Sequence, residues 1–331
     1  MNLASRIAVV ALCLVLVAAC GALAFSPYAT PAVRYALALG FAFAVAFAWR
    51  VLRRNGKPAP LVAGWLIVFA ALPLVAAQLL LRPSNDRDWS PDQARLARIE
   101  VEGDMATVHD VRNFHYRSTS DYDARWEDRR YDLAQLRSAW FVVEPFSDFA
   151  GAAHTFLSFG FANGEYLAVS VEIRKEKGES FSALKGLYRN YELMYVFGDE
   201  RDLVQLRSAF RKDTVYAYPL RVSPEVARAM LEDIFARANR LAEHPEFYNS
   251  LTNTCTTNIA GHANRLKPGA VPFSWQLLLP GHSDERALEL GLIDFDGDIT
   301  AARERFRINE RAAAAGDAAD FPARIRALPA D

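Results

Sequence analysis

The sequence predicts an α+β domain preceded by an N-terminal membrane segment of about three helices. Three observations predict it. Residues 1–85 contain seven basic side chains and no acid, set within long apolar runs. Residues 105–219 carry runs of strand length and strand alternation separated by turn residues. From Ser223 onward the apolar positions change to helical spacing.

The membrane segment comes first. Residues 7–25 are uncharged, and in residues 61–81 Gln78 is the only polar side chain. Each run is long enough to cross a hydrocarbon core of about 30 Å. Residues 33–51 form a shorter middle span, with Arg34 and Arg50 placed to snorkel from its ends. The loop 50–60 holds Arg50, Arg53, Arg54 and Lys57, whereas the connection 26–34 holds a single Arg. The positive-inside rule then puts the 50–60 loop in the cytoplasm. Everything after Arg82 is left on the far side of the membrane. A second reading takes Arg6, the apolar stretch and Val17-Ala18-Ala19-Cys20 as a lipoprotein signal with an acylated cysteine. Two spans would then remain, and the soluble part would still lie outside.

The whole chain has a net charge of −1, but the part after residue 85 carries 31 basic against 39 acidic residues. A nucleic-acid binder needs a basic excess on its binding domain, so that class is excluded. Three cysteines cannot build a disulfide framework, and Cys255 is the sole thiol outside the membrane segment. An unpaired thiol in an oxidising compartment calls for a chemical reason.

Residues 83–91 read as a polar linker, 92–300 as one domain and 301–331 as a C-terminal tail. Residues 92–99 suit a helix. Strands are expected at 105–116, 133–143, 152–161, 166–174 and 214–219. Ser223-Pro224-Glu225 is a helix start, with Ser as N-cap, Pro at the first helical position and an acid in the first turn. Val226, Met230, Ile234, Ala238 and Leu241 form its buried stripe. A second helix follows Asn253. Beyond Pro272 the chain looks irregular, and 312–320 with the terminal Pro-Ala-Asp looks frayed.

Two places carry possible chemistry. The first is a hairpin across Phe161-Ala162-Asn163-Gly164-Glu165, where a three-residue loop with Gly164 in the left-handed position sets His154 opposite Glu172. In that register Leu157, Phe159, Phe161, Leu167, Val169, Val171 and Ile173 share the core face. His154, Phe156, Ser158, Ser170, Glu172 and Arg174 share the other. A shift of one residue would mix the two sets. The pair suits a general base with a carboxylate that fixes its tautomer, but taken alone it reads first as a surface His–Glu pair, since cross-strand charge pairs are common.

The second is Phe247-Tyr248-Asn249-Ser250-Leu251-Thr252-Asn253-Thr254-Cys255-Thr256-Thr257-Asn258-Ile259. With Asn253 as N-cap, Cys255 stands at the second helical position, and Ile259, Ala263 and Leu266 form the buried stripe. A thiol in a first helical turn is acidified by the macrodipole, and a neighbouring imidazole lowers it further. Cysteine is also often simply buried, but Asn, Thr, Thr, Thr and Asn flank this one. His109, His115, His244, His262 and His282 show no metal-ligand spacing, and neither a metal nor a cofactor is expected. Residues 294–298 resemble a calcium loop, yet Ile299 and Arg305 stand where Gly and Glu are needed, so they read as a turn. Arg112, Arg117, Arg125, Arg129 and Arg130, interleaved with Tyr116, Tyr122, Trp126 and Tyr131, read as a solvated, partly packed face.

Several of these pieces together resemble a family. They are Val111-Arg112-Asn113-Phe114-His115-Tyr116-Arg117, His154-Thr155-Phe156, Ser158-Phe159-Gly160-Phe161, Ser170-Val171-Glu172-Ile173-Arg174, and Phe247-Tyr248-Asn249 leading to Asn253-Thr254-Cys255-Thr256-Thr257. In matching order over roughly 90–300 they look like the Lnb N-terminal periplasmic domain family. The resemblance implies a permuted papain-like thiol fold, related to NlpC/P60 proteins, with an antiparallel sheet and a Cys-bearing helix. It implies lipoprotein N-acyltransfer, with membrane phospholipid and lipoprotein as substrates, by a multi-pass protein of a bacterial inner membrane whose catalytic domain lies in the periplasm. Cys255, His154 and Glu172 match the catalytic positions; Asn253, Thr254, Ser170, Arg174 and Tyr248 stand as supporting residues. The alternatives are a cysteine amidohydrolase acting on cell-wall peptides and a non-catalytic envelope scaffold.

Overall fold

The computed structural model describes residues 3–26 and 30–327. It divides into two compact units, one of residues up to 84 together with 182–191, the other of 85–181 together with 192–331.

The first unit contains α1 (Leu3–Ala24), α2 (Pro31–Arg54), α3 (Ala59–Leu80) and the single-turn α4 (Ala183–Leu187). The three long helices are long and apolar enough to cross a membrane. They meet through Leu12, Val45, Val62, Ala63 and Leu66. Leu14, Leu39, Phe43 and Trp65 point outward. Apolar side chains on both the packed and the outer surfaces are the pattern of helices solvated by lipid. The middle helix absorbs the arginines at its ends, so it is longer than the 33–51 span expected.

The second unit is α+β, as the sequence pattern predicts. Its sheet contains β1 (Arg98–Glu102), β2 (Met105–Arg112), β5 (Trp126–Asp132), β6 (Leu136–Pro145), β7 (Ala153–Phe161), β8 (Tyr166–Arg174), β9 (Glu192–Gly198) and β10 (Tyr216–Pro219). The order is β1-β2-β9-β8-β7-β6-β10, with β5 paired to β2. A short ladder of β3 (His115–Tyr116) and β4 (Tyr122–Asp123) stands apart. The hairpin of β7 and β8 takes the expected register, pairing Phe156 with Ser170 and Gly160 with Tyr166. Its three-residue loop closes with the Gly164 N–H donating to the Phe161 carbonyl, and Gly164 has φ 85°.

Helices cover both faces of this sheet. On one lie α6 (Pro224–Glu243) and α7 (Cys255–Leu266), with Phe235 of α6 against Phe197 of β9. On the other, Val142, Phe156, Ala168, Met194 and Val196 pack on α5 (Glu200–Gln205) and on the C-terminal helices α11 (Asn309–Ala315) and α12 (Phe321–Arg326). The face of His154, Phe156, Ser158 and Ser170 is therefore interior rather than exposed, because two apolar layers need it.

Three further expectations are corrected. Residues 92–99 are not a helix; a single turn at Pro91–Gln93 leads into β1. Arg174 causes this, its guanidinium taking the carbonyls of Gln93 and Ala94 and lying 4.2 Å from the Trp89 ring centroid. The same contacts dock the expected linker onto the domain, where Asn85 also donates to the carbonyls of Leu241 and Ala242. The tail expected over 301–331 is structural through residue 327: α11 and α12 fill one core, and Ile308, Phe321 and Ile325 are buried. The terminal Pro-Ala-Asp lies outside the described residues. In α6 the stripe is as expected from Met230 to Leu241, but Ala227 replaces Val226, which is exposed.

Candidate active site

The site stands where β7 begins, β8 ends and α7 starts. The loop before α7 is shaped by its own polar residues. Asn249 accepts the N–H groups of Leu251 and Thr252 on its side chain, which forms an Asx turn. The Asn253 side chain donates to the Phe247 carbonyl and accepts from Asn258. It is thus occupied, and Thr254 caps the helix in its place. The Thr254 hydroxyl accepts the Thr257 N–H at 3.2 Å, and the Thr254 N–H donates to the Thr257 hydroxyl at 2.8 Å. This reciprocal capping box puts Cys255 at the first helical position, one earlier than expected.

Cys255 is buried at 5% exposure, and its neighbours are polar. Its sulfur lies 3.8 Å from the Thr256 hydroxyl, and that hydroxyl meets Thr155 of β7 at 3.1 Å. Burial pushes the thiol up; the hydrogen bond and charge of His154, with help from Thr155, pull it down to about 7. The imidazole shows the reciprocal balance. Burial lowers it, while the Glu172 charge and the Cys255 hydrogen bond raise it to about 10. Each group therefore shifts the other toward its charged form, thiolate and imidazolium.

Ser170 stands between imidazole and carboxylate. His154 Nε2 is 2.6 Å from Ser170 Oγ, which donates to Glu172 Oε1 at 2.7 Å; the direct Nε2–Oε1 distance is 3.3 Å. Nε2 is thus engaged with Ser170 and Glu172, which leaves Nδ1 for the thiol. Glu172 lies well below the usual carboxylate range: burial opposes this, but His154 and Arg207 overcome it.

Two partners escape sequence reasoning. Glu144 of β6 pairs with His154 across the sheet and is buried. Arg207 donates from Nε to Glu144 at 2.5 Å and from its terminal nitrogen to Glu172 at 2.7 Å. It holds the carboxylates on either side of the imidazole. Arg207 projects from Leu206–Arg211, where α5 continues with π-helical spacing, a local widening that helices often show at functional sites. The signal available was the pair of acids flanking His154 in register, which demands a buried cation.

The other expected residues have different places. Arg174 braces the 85–94 segment rather than the thiol, and burial pulls its guanidinium down to about 10. Tyr248 is buried in the loop before α7. His262, on the inner face of α7, sits between Asp233 and the Tyr195 hydroxyl; burial above all pulls it down to about 4, so it is neutral and structural. The Arg-rich stretch is more ordered than expected: Arg112 is buried in a bidentate pair with Asp202, which also accepts from the Phe114 N–H and the Tyr116 hydroxyl. Among the described residues no group of His, Cys, Asp or Glu could hold a metal ion.

No curated protein and no solved structure matches the chain. Residues 122–281 match the Lnb N-terminal periplasmic domain family, a span that includes Glu144, His154, Ser170, Glu172, Arg207 and Cys255. It leaves out the Val111–Arg117 motif and the C-terminal helices. Over these residues the chain is thus similar to the Lnb N-terminal periplasmic domain family, and its other unit holds three helices long and apolar enough to cross a membrane.

Proposed function

We propose that the soluble unit is a thiol acyltransferase that moves an acyl chain from a membrane phospholipid to the α-amine of a lipoprotein N-terminal cysteine. The observation that carries this reading is the mutual stabilisation of Cys255 and His154, backed by Ser170, Glu172 and Arg207. The arrangement suits a permuted papain-like site, in which the His precedes the Cys in the chain.

In the proposed sequence the Cys255 thiolate attacks an ester carbonyl of the donor lipid. Backbone N–H groups at the start of α7 stabilise the oxyanion. The C–O bond breaks, the imidazolium of His154 protonates the departing lysolipid alkoxide, and a thioester remains on Cys255. The acceptor amine then attacks the thioester carbonyl and gives its proton to His154. The C–S bond breaks, leaving an amide and the free thiolate. Ser170 and Glu172 hold the ring through Nε2 in both half-reactions, and Asn253 and Thr254 fix the helix start that presents the sulfur. Three spans with the 50–60 loop in the cytoplasm would hold this unit beside both lipid substrates, raising their effective concentration.

The test is palmitate labelling of the purified protein. The reading predicts a hydroxylamine-sensitive label on wild type that disappears in Cys255→Ser. Label that persists in Cys255→Ser, or turnover of cell-wall peptides with no lipid requirement, would overturn it and, in the second case, favour an amidohydrolase.

A further inference from the structure

Within the soluble unit, among the described residues, the exposed large aromatic side chains are Phe146, Phe149, Phe181, Phe273 and Trp275. All five lie in connections around the site. Phe146 and Phe149 are in the loop that leads from β6 to His154, Phe181 follows β8, and Phe273 and Trp275 follow α7. Leu251, in the loop before Cys255, is exposed as well.

These connections touch one another. The Phe146 and Phe181 rings meet edge to face at 5.9 Å. The Gly281 N–H donates to the Gly151 carbonyl, and a side chain at Gly151 would collide with Phe149 and crowd Leu279. Trp275 packs on His282, next to Gly281, at 4.9 Å. The result is a rim of exposed aromatic side chains on the connections that meet just before β7, the strand that starts with Ala153 and His154, with Phe273 at 78% exposure and Phe149 at 62%. Water does not stabilise such a surface, and exposed apolar patches mark contact sites.

We infer that this rim docks into the lipid headgroup–acyl boundary and turns the end of the sheet that bears His154 and Cys255 toward the bilayer. The chain itself argues for lipid as the occupant. Four residues, 81–84, separate the end of α3 from the first residue of the soluble unit. Four extended residues span at most about 14 Å, so the unit is never far from a bilayer that α3 crosses. Phe181, a rim residue, is followed directly by Ser182, the start of the excursion that belongs to the unit of apolar helices. Phe and Trp, rather than Lys or Glu, are the side chains that the interfacial zone of a membrane accepts. The inference rests on the acyl-transfer reading for its purpose, since docking at this end lets a donor acyl chain approach the sulfur without crossing water.

The test is the membrane depth of a nitroxide in the full chain, carried on Phe273→Cys in a Cys13→Ser/Cys20→Ser/Cys255→Ser background. The host is a nanodisc of phosphatidylethanolamine and phosphatidylglycerol. The control is Asn163→Cys at the far tip of the hairpin, exposed like Phe273. Docking predicts that dissolved oxygen relaxes the 273 label more than a water-soluble nickel chelate does, with the reverse order at 163. Equal behaviour at the two positions, or a 273 label buried only when a polypeptide partner is added, would overturn it. The depth measurement needs no acyl transfer, so its failure and that of the proposed chemistry are separable. Where wild type does acquire a thioester, Phe149→Ser/Phe273→Ser/Trp275→Ser is expected to acylate from bilayer lipid about tenfold more slowly or worse. Cys255 alkylation by iodoacetamide should keep its rate. Unchanged acylation in that variant would also contradict docking.

Discussion

A buried thiol with no partner is a poor nucleophile, since burial favours its neutral form. Cys255 escapes that fate through His154, and His154 through Ser170 and Glu172. The working state needs the thiol ionised and the ring protonated. The thiolate is lost as pH falls through about 7 and the imidazolium as pH rises through about 10. The kcat/KM of the proposed acyl transfer should therefore be bell-shaped between those limits, with the two limbs belonging to the pair jointly. Glu172→Gln removes the charge that raises His154, so the alkaline limb should move to lower pH; a limb that stays in place would show that Glu172 does not hold the ring. The His–Glu pairing was legible in the sequence because hairpin registry depends only on loop length and face alternation. Arg207 was not legible, since its bond to Glu144 joins residues 63 apart in the chain.

At the scale of elements, the start of α7 determines where the sulfur points. Three polar residues in a row, Thr252, Asn253 and Thr254, can each cap a helix, and the sequence alone does not say which one does. Asn253 loses to Thr254 because its side chain is drawn to the Phe247 carbonyl and to Asn258. Thr254→Ala should cost about 1 kcal/mol of stability and reduce kcat more than it raises KM, whereas Thr254→Ser should restore both. Thermal unfolding and steady-state kinetics on the two variants check this, and a Ser variant as impaired as the Ala variant would contradict it. The strand β9 is buried along its whole length and shows no alternation, so period-two reading passes over it. The π-spaced segment after α5 lacks a 3.6-residue period for the same kind of reason.

At the scale of the whole molecule, the sheet needs its C-terminal helices. Ala-rich sequence with a weak apolar stripe looks frayed until the opposite face of the sheet is known to be apolar. Phe321 and Ile325 close that face, and Arg326 pairs with buried Glu200 while lying 3.7 Å from the Tyr166 ring centroid. Phe321→Ala should destabilise the soluble unit by about 3–5 kcal/mol, measured by denaturant unfolding, and a change below about 1 kcal/mol would show that the helix is dispensable.

The proposed chemistry depends on a charged sulfur–imidazole pair. Its most direct test is the pH dependence of Cys255 alkylation by iodoacetamide in the full chain carrying Cys13→Ser and Cys20→Ser, with and without His154→Gln. With His154 present the midpoint should lie near 7. With Gln in its place, the midpoint should climb to the ordinary thiol value of about 8.5 or above. A midpoint that is the same in both proteins would contradict it.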